Sequence, residues 1–345
     1  MNLNWQNFLA QHHAVIVEGI VQHFGDPLKE LHITSKDTVI CDLHQFGALR
    51  VTGEEAQSFL QNLLSNDIRE VTASRTQLSS FNSAKGRMFA SLLIWREEED
   101  YLLQLPRSLV EVMRKKLSMY VLRAKVKISD ASDERIMLGI SGINAENTLR
   151  EALGDLPSGN LSSLPNQHGR ILRISETQFQ IITSPEKAAI LWDTVCLSAK
   201  PVGSACWDWL NIRAGIPTIL LNTQEQFVAQ MVNFDVIGGI NFKKGCYPGQ
   251  EIVARTHYLG KLKRRMYLAH IETTDMPLAG DEVFSADMDE QSSGMIVNAA
   301  PAPTGGYDVL AVVQITSQAT QTIHLKSLQG AALKFLSLPY DLPSP

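Results

Sequence analysis

Apolar residues recur at helical spacing in several segments of the first 215 residues. Over residues 54–64, for example, Phe59, Leu60 and Leu63 fall on one face of a helix, directly after Gly53. Glycine and proline mark the ends of several such segments, as expected for helix boundaries. The pattern predicts helices over 54–64, 109–121, 145–153, 185–197 and 205–214.

Strand-like runs lie between these helices, and Lys85-Gly86 marks a hairpin tip between two of them. Residues 155–166 are rich in Pro, Ser, Gly and Asn, which predicts a surface loop. The alternation of helices and strands indicates an α+β fold with helices packed on mostly antiparallel sheets. The predicted strands are 47–51, 77–81, 87–95, 101–105, 126–128, 135–141, 171–174 and 179–183.

The pattern changes after Arg265. Short apolar or alternating runs follow one another, separated by Gly, Pro, Asp and Ser. This spacing predicts a small all-β barrel or sandwich, followed by a loose tail over 339–345. The predicted strands are 266–271, 282–284, 294–297, 307–315, 322–325 and 333–336.

Composition narrows the class of protein. The chain has 345 residues, which is enough for two or three domains of about 100 to 200 residues each. Apolar residues make up 44%, so a sizeable core can form. A net charge of −5 argues against a molecule that binds nucleic acid over its whole surface, but leaves room for a local basic patch.

The cysteines and histidines show none of the close spacings of a metal site, so we expect no permanently bound metal. Scattered cysteines fit a reducing compartment. The N-terminus lacks the features of a secretory signal, and no run approaches the roughly 18 apolar residues of a membrane span. We therefore expect a cytoplasmic protein with no membrane partner.

Residues 244–251 carry the strongest chemical signal. A thiol, Cys246, lies between glycines and follows two lysines. Glycines allow another chain or ligand to approach closely, and nearby cations favour a thiolate over a thiol. The alternative is a small residue packed under a turn. The segment reads Lys244-Gly245-Cys246-Tyr247-Pro248-Gly249-Gln250-Glu251.

Together with residues 252–265, this segment closely resembles the signature of the YgfZ family of folate-binding proteins, which are relatives of the glycine-cleavage T-protein, an aminomethyltransferase. The resemblance extends over about residues 38–325. Further matching segments are 42–43, 49–53, 59–61, 66–68, 85–87, 213–217, Glu225 and 230–233.

The resemblance implies two interleaved α/β domains around a central cavity and a C-terminal β-barrel. The expected domains are 1–50 with 131–219, 51–130 with 220–262, the barrel over 263–338, and the tail over 339–345. The ligand expected in the cavity is tetrahydrofolate or a derivative.

One departure from the T-protein pattern bears on catalysis. T-proteins carry a pair of aspartates after the hairpin, and the alignment on Lys85-Gly86 places Ala90 and Ser91 there. Alanine cannot accept a proton, and a serine hydroxyl is a poor base at neutral pH. Asp67 is the candidate substitute.

The candidate site residues fall into three groups. Cys246 is the functional thiol. Lys244, Gly245, Tyr247, Gly249, Gln250 and Glu251 shape its loop, with Arg255 and His257 beside it. The resemblance assigns cofactor binding to Glu225, Arg213, Gln230, Asn233 and Arg255.

Each candidate has a structural alternative. Glu225 suits the N–H groups of a pterin ring, but can also be an acid at a helix edge. Arg213 can serve the ligand or cap a helix C-terminus. The basic cluster of Arg255, Lys261, Lys263, Arg264 and Arg265 can bind folate carboxylates or RNA phosphate, or simply be a solvated face. His257 can assist the thiol or be structural. Trp207 and Trp209 favour core and rim positions.

Three functions follow. The leading hypothesis is a folate-binding accessory protein that supports iron–sulfur cluster assembly or repair in client enzymes, among them a tRNA-modifying methylthiotransferase. The second is a folate-dependent aminomethyl or methyl transferase. The third is a tRNA-binding protein that uses the basic cluster for a weak contact.

Overall fold

The computed structural model describes residues 1–258, 260, 262–289 and 291–343. Its backbone divides into two compact units. The first comprises residues 1–56, 69–77 and 93–207, and the second residues 57–68, 78–92 and 208–345. The three-domain division expected from the resemblance stays a prediction.

Helices occur along the whole chain. They are α1 (Leu3–Gln11), α2 (Pro27–Thr34), α3 (Ala56–Gln61), α4 (Val110–Ser118), α5 (Ala145–Leu153), α6 (Pro185–Cys196), α7 (Ser204–Arg213), α8 (Gln250–Tyr258) and α9 (Ile315–Thr320). Within the described ranges, no helix is both long and apolar enough to cross a bilayer.

The strands of the first 202 residues are β1 (Val15–Val17), β2 (Ile20–His23), β3 (Val39–Asp42), β4 (Phe46–Thr52), β5 (Gln77–Asn82), β6 (Met88–Glu97), β7 (Asp100–Pro106), β8 (Lys127–Asp130), β9 (Ile136–Ser141), β10 (Ser162–Asn166), β11 (Gly169–Arg173), β12 (Gln178–Thr183) and β13 (Lys200–Val202). Those that follow are β14 (Arg264–Ile271), β15 (Glu282–Phe284), β16 (Gly294–Pro301), β17 (Tyr307–Gln314), β18 (His324–Leu325) and β19 (Leu333–Leu336).

The larger sheets are mostly antiparallel, as the sequence predicts. The first unit contains a six-stranded sheet in the order β10-β11-β12-β9-β3-β13, in which β13 pairs with β3 in parallel. A five-stranded sheet has the order β5-β6-β7-β4-β8. The predicted mixture of helices and mostly antiparallel sheets is confirmed.

One face of the first unit's six-stranded sheet forms a hydrophobic core with α1, α5 and α6. Phe179 and Ile181 of β12 lie in this core beside Trp5 and Trp192. Because side chains alternate across a strand, Gln178 and Gln180 belong to the opposite face of the sheet. On that face Gly139 of β9 pairs with Gln180, and a Cβ added to Gly139 would lie 2.5 Å from the Trp207 ring. The missing side chain lets this indole pack against the strand.

The C-terminal part of the second unit is a six-stranded sheet in the order β18-β15-β16-β17-β14-β19. Its core includes Ile271, Val283 and Val309. Backbone hydrogen bonds also join the two ends of the order, since Leu333 N donates to the oxygen of Ile323 over 2.8 Å. This link supports the predicted closed barrel, which stays a prediction.

Three local expectations need correction. The predicted helix 54–64 is shorter, because α3 ends at Gln61, and the backbone oxygens of Gln61 and Leu64 accept hydrogen bonds from a lysine. Residues 162–166 of the predicted loop form β10, which pairs with β11. The tail is not loose throughout, because the hydroxyl of Tyr340 is hydrogen-bonded to the chain at Gly215.

Candidate functional site

The predicted functional thiol lies on the surface of the second unit. Cys246 is exposed, whereas Cys41 and Cys206 are buried and Cys196 is partly buried. Burial raises the pKa of Cys196 to about 12, so that thiol is almost entirely protonated at neutral pH. Cys246 is therefore the cysteine that a reagent or partner in solution can reach.

The loop that carries Cys246 is held at its start by Lys244, a lysine that is only 5% exposed. Its Nζ donates to the backbone oxygens of Gln61 at 2.6 Å and Asn66 at 3.2 Å, and to that of Leu64. Three carbonyls thus share one ammonium group, which is a favourable charge-assisted arrangement in a buried place. The sequence suggested that both lysines act on the thiol, but the Lys244 charge is engaged by backbone oxygens. Lys243 is exposed.

The aromatic ring of Tyr247 completes this anchor. The Lys244 ammonium lies 5.0 Å from the ring centroid, within cation–π range. Tyr247 is buried, and burial raises the pKa of its hydroxyl. Both neighbours of the Gly245-Cys246 pair therefore point into the protein while the pair itself is exposed.

A glycine contact holds the other end of the loop. Gly249 has a positive φ of 78°, and a Cβ there would lie 2.4 Å from the oxygen of Ser83 and 2.5 Å from Cα of Gly86. Only glycine allows the loop to approach the 83–87 hairpin tip so closely. Gly245, by contrast, has open space around it. The lysine anchor and this contact fix the two ends of the segment that presents Cys246, which we call the thiol loop (residues 244–249).

Helix α8 begins at Gln250, directly after the thiol loop. Gln250 N donates to the Tyr247 oxygen at 3.1 Å, and its side chain reaches the Lys244 oxygen at 3.5 Å. Glu251 and Arg255 are exposed on this helix. The side chain of Arg255 makes no hydrogen bond or ion pair with the part of the chain that the structure describes, so its guanidinium is available to a ligand.

His257 packs against aromatic rings. Its ring stacks on Phe242 with centroids 3.8 Å apart and planes inclined by 14°, and it meets Tyr258 edge-on at 4.7 Å. His257 and Tyr258 are both exposed. The three rings form a compact group of two stacked rings and one edge-on ring, which we call the α8 aromatic cluster (Phe242, His257 and Tyr258).

The predicted basic cluster does not form one charged surface. Arg265 is 7% exposed and makes two parallel bonds with Asp235, at 3.0 and 2.9 Å. Arg264 donates to the oxygen of Ser292 at 3.0 Å. Lys263 is exposed, and Lys261 lies outside the described residues. Thus Arg265 forms a buried structural ion pair with Asp235, contrary to the expectation that it is a ligand-binding or solvated cation.

Two predicted cofactor residues, Gln230 and Asn233, belong to the same buried network as Arg265. Asn233 is fully buried; its Nδ2 donates to the Met266 oxygen at 3.0 Å, and its Oδ1 accepts from Arg265 at 3.1 Å. Gln230 Nε2 donates to the oxygen of Val253 at 2.6 Å, which ties α8 to this turn. Gln230 Oε1 is buried without a partner among the described residues. Of the side-chain oxygens of Gln230 and Asn233, it is therefore the one that can still accept a hydrogen bond from a ligand.

Glu225 and Arg213 are both exposed. Glu225 lies outside any helix, with a positive φ of 58°, and its N–H donates to Met88 at 2.8 Å. It lies in the turn that follows the short 3-10 helix Leu221–Thr223, and its role in binding a cofactor stays a prediction. Arg213 is the last residue of α7 and lies 3.6 Å from a carboxylate oxygen of the buried Asp308.

The positions aligned with the T-protein aspartates carry no ionisable group. Ala90 is fully buried, and Ser91 Oγ accepts a hydrogen bond from Ile219 N at 3.0 Å. Asp67, the candidate substitute, is 7% exposed and its N–H donates to Asn66 Oδ1 at 2.9 Å. Within the described ranges no group of three or more His, Cys, Asp or Glu side chains could hold a metal ion.

Sequence reasoning missed a set of polar side chains in the first unit. Gln178 is 3% and Gln180 4% exposed, yet both amide atoms of Gln178 and the Oε1 of Gln180 have no hydrogen-bond partner among the described residues. Trp207 Nε1 is buried and equally unpartnered. We call these three residues the polar face. The signal was present in the sequence, because glutamines alternate with Phe179 and Ile181 in a strand that is otherwise apolar.

The lysine anchor gives a prediction about stability. Replacing Lys244 by Met leaves three carbonyl oxygens without their charged donor, so we expect the free energy of unfolding to fall by about 2–4 kcal/mol. Urea unfolding followed by circular dichroism measures this. The matched control is Lys243→Met, which should change the stability by less than about 0.5 kcal/mol because Lys243 is exposed. Equal effects of the two substitutions would contradict the anchor.

Comparison with solved structures identifies the fold. The glycine cleavage system aminomethyltransferase T from Bartonella henselae matches with a TM-score of 0.79 at 18% identity, covering 98% of this chain and 97% of that one. A heterotetrameric sarcosine oxidase from Corynebacterium sp. U-96, in complex with pyrrole 2-carboxylate, matches with a TM-score of 0.37 at 12% identity, covering 57% of this chain and 95% of that one.

Comparison with protein families identifies the relationship. Residues 21–237 match the GCVT N-terminal domain family, and this match spans more than half of the chain. The protein therefore belongs to the GCVT N-terminal domain family, within the T-protein superfamily.

Proposed function

We propose that this protein is a cytoplasmic folate-binding accessory protein of the YgfZ type. Its ligand is tetrahydrofolate or a derivative, and it supports the assembly or repair of iron–sulfur clusters in client enzymes, including tRNA-modifying ones. Family membership, the thiol-loop sequence and the polar face support this proposal. The polar face carries the folate part, because it places buried donors and acceptors without protein partners side by side.

The polar face fits a pterin. A buried amide without a partner costs about 1–3 kcal/mol, so such groups are normally satisfied by water or by a ligand. Glutamine offers a donor and an acceptor side by side, and the Trp207 indole adds a donor. The aminopyrimidinone ring of a pterin presents the complementary donors and acceptors. Gln178, Gln180 and Trp207 would therefore hold and orient the ring.

The residues at the positions aligned with the T-protein aspartates favour binding over group transfer. A bound tetrahydrofolate supplies ring nitrogens that can carry a one-carbon unit. Transfer of such a unit needs a group that accepts or donates a proton at the nitrogen. Ala90 has no such group, and the Ser91 hydroxyl, which accepts a hydrogen bond from Ile219 N, is a poor base at neutral pH. The accessory function is thus better supported than a transferase.

The thiol loop supplies the second part of the function. Cys246 is exposed on a segment fixed at both ends by Lys244 and Gly249. A thiol held in this way can meet a client protein without rearrangement of its own backbone. Arg255, exposed on the next helix, would attract carboxylates of the folate or of a client.

Replacement of Gln180 by Leu tests the folate part. We expect the affinity for tetrahydrofolate to fall at least tenfold. The substitution removes hydrogen bonds worth about 1.4 kcal/mol or more, and each 1.4 kcal/mol corresponds to about a tenfold change in affinity. The ligand-free protein should be equally or more stable, since an unpaired buried amide is removed. Tryptophan fluorescence titration and thermal unfolding measure the two quantities.

The control for this experiment is Gln11→Leu, because Gln11 is exposed at the end of α1 in the same unit. It should leave the affinity unchanged. If Gln180→Leu binds tetrahydrofolate as tightly as the wild type, the polar face is hydrated by water and does not bind the ligand.

Replacement of Cys246 by Ala tests the thiol part. The variant should fold and bind tetrahydrofolate normally but fail to restore the activity of an iron–sulfur methylthiotransferase in cells that lack this protein. Cys196→Ala should restore it fully, since Cys196 is partly buried and protonated. Modified tRNA nucleosides are the readout. Full restoration by Cys246→Ala would remove the thiol from the function.

A weak contact with tRNA is a second candidate, favoured by the α8 aromatic cluster. The exposed rings of His257 and Tyr258, beside exposed cations, suit stacking of unpaired bases and contact with phosphates. Lys243 and Arg255 are the exposed cations on either side of the thiol loop.

Fluorescence anisotropy with labelled tRNA tests this contact. The affinity should fall steeply with added salt. The double variant Lys243→Gln with Arg255→Gln should reduce the slope of log affinity against log salt by the equivalent of about one to two phosphate contacts. Lys334→Gln is the exposed control in the same unit. Absence of tRNA binding at low salt would exclude the contact.

A further inference from the structure

The C-terminal strap, residues 337–343, follows β19 and is fixed to the second unit through Tyr340. The Tyr340 hydroxyl donates to the backbone oxygen of Gly215 at 2.8 Å. It also accepts a hydrogen bond from Asn233 Nδ2 at 3.3 Å. One hydroxyl group therefore bridges two segments that are far apart in the chain.

Both segments contain residues that the resemblance assigns to cofactor binding. Gly215 lies two residues after Arg213, and Asn233 closes the turn that contains Gln230. The strap lies outside the 21–237 family match. The bridge thus places a residue from the end of the chain between two candidate binding segments.

Packing makes the contact at Gly215 specific. Gly215 has a φ of 66°, and a Cβ there would lie 2.7 Å from the Tyr340 ring. Gly215 N donates to the Ile212 oxygen at 3.0 Å and Ile216 N to the Asn211 oxygen at 3.0 Å, so the glycine ends α7. The Tyr340 hydroxyl then donates to the backbone carbonyl of Gly215 itself. The end of α7, and with it the backbone of Arg213, is held from outside the helix.

The other side of the bridge is equally fixed. Asn233 is fully buried, and Arg265 holds its Oδ1 while also pairing with Asp235. Burial raises the pKa of Tyr340 to about 12, so its hydroxyl keeps its proton and stays a donor at all physiological pH values. Tyr340 therefore connects the end of α7 to a rigid, charged network.

Arg213 is the residue that this connection serves. Its side chain is 42% exposed, and a carboxylate oxygen of Asp308 lies 3.6 Å from its Nη1. That oxygen also accepts a hydrogen bond from Trp209 Nε1 at 2.9 Å, so it is shared between the two side chains. An exposed arginine with donors to spare suits a carboxylate, and the glutamate part of folate carries such groups.

We propose that Tyr340 is a positioning residue for folate, which holds the end of α7 so that Arg213 meets the glutamate carboxylates of the ligand. The inference rests on the proposed folate-binding function. It adds a specificity element, because ligands without a glutamate gain nothing from the positioned arginine.

The test compares two ligands and two variants. Tyr340→Phe keeps the ring over Gly215 and removes only the hydroxyl. We expect its affinity for tetrahydrofolate to fall at least fivefold, while its affinity for 6-methyltetrahydropterin, which lacks the glutamate, changes less than twofold. Arg213→Gln should show the same selective loss. Fluorescence titration measures each affinity, and thermal unfolding reports stability separately.

The double variant and a control complete the design. If Tyr340 acts through Arg213, adding Tyr340→Phe to Arg213→Gln should cause no further loss of tetrahydrofolate affinity. Tyr267→Phe is the control, because that hydroxyl has no hydrogen bond among the described residues while its ring packs on Phe335. It should bind both ligands as the wild type does.

The outcomes separate the two proposals. Three results would overturn the role of Tyr340 and leave folate binding intact. They are an equal loss of affinity for both ligands in Tyr340→Phe or Arg213→Gln, additive losses of affinity in the double variant, and no loss of affinity in any variant. If the wild-type protein binds neither ligand, the proposed function fails, and the positioning role fails with it.

Discussion

The geometry of the thiol loop depends on one buried ammonium group. Lys244 is placed where a neutral side chain would leave three backbone oxygens unpaired, and its charge is balanced by those oxygens and by the Tyr247 ring. A buried charge is tolerated only where it is fully coordinated, so this position determines how the chain must run on both sides. Cys246 is exposed because its neighbours at 244 and 247 are drawn inward.

Close backbone contact complements this electrostatic anchor. Gly249 meets the hairpin tip at distances that exclude a side chain, and Gly139 does the same beneath Trp207 in the first unit. In each case the absence of a Cβ helps to set the position of a group that can react or form hydrogen bonds: a thiol in one unit and an indole N–H in the other. The two candidate regions therefore follow the same physical rule, in which rigid packing holds a reactive or hydrogen-bonding group.

Much of the fold could be predicted from periodicity. The bounds of α5, β15 and β19 agree with the expected ones, because apolar spacing and local turn residues determine them. The end of α3 could not be predicted, since the carbonyl of its last residue, Gln61, accepts a hydrogen bond from a lysine 183 residues away. The same limit applies to Arg265, where the sequence shows one more cation in a basic run and only the fold reveals Asp235 beside it. The exposure of Cys246 agrees with its expected accessibility, while its role, and those of Arg255 and Glu225, stay predictions. The sequence shows Gln178 and Gln180 as polar residues among apolar ones, but only the structure shows that they lack hydrogen-bond partners among the described residues.

The Lys244 anchor also has a consequence for the order in which the molecule matures. Its three contacts span 183, 180 and 178 positions of the chain, so they form only after a very long stretch has been closed into a ring. Contacts of such sequence separation are slow to establish, because the entropy of closure is lost before any bonding is gained. The sulfur atom is consequently carried on an unrestrained segment until these contacts form. Folding thus gives the sulfur atom a fixed position late, while its access to solvent persists in the finished protein.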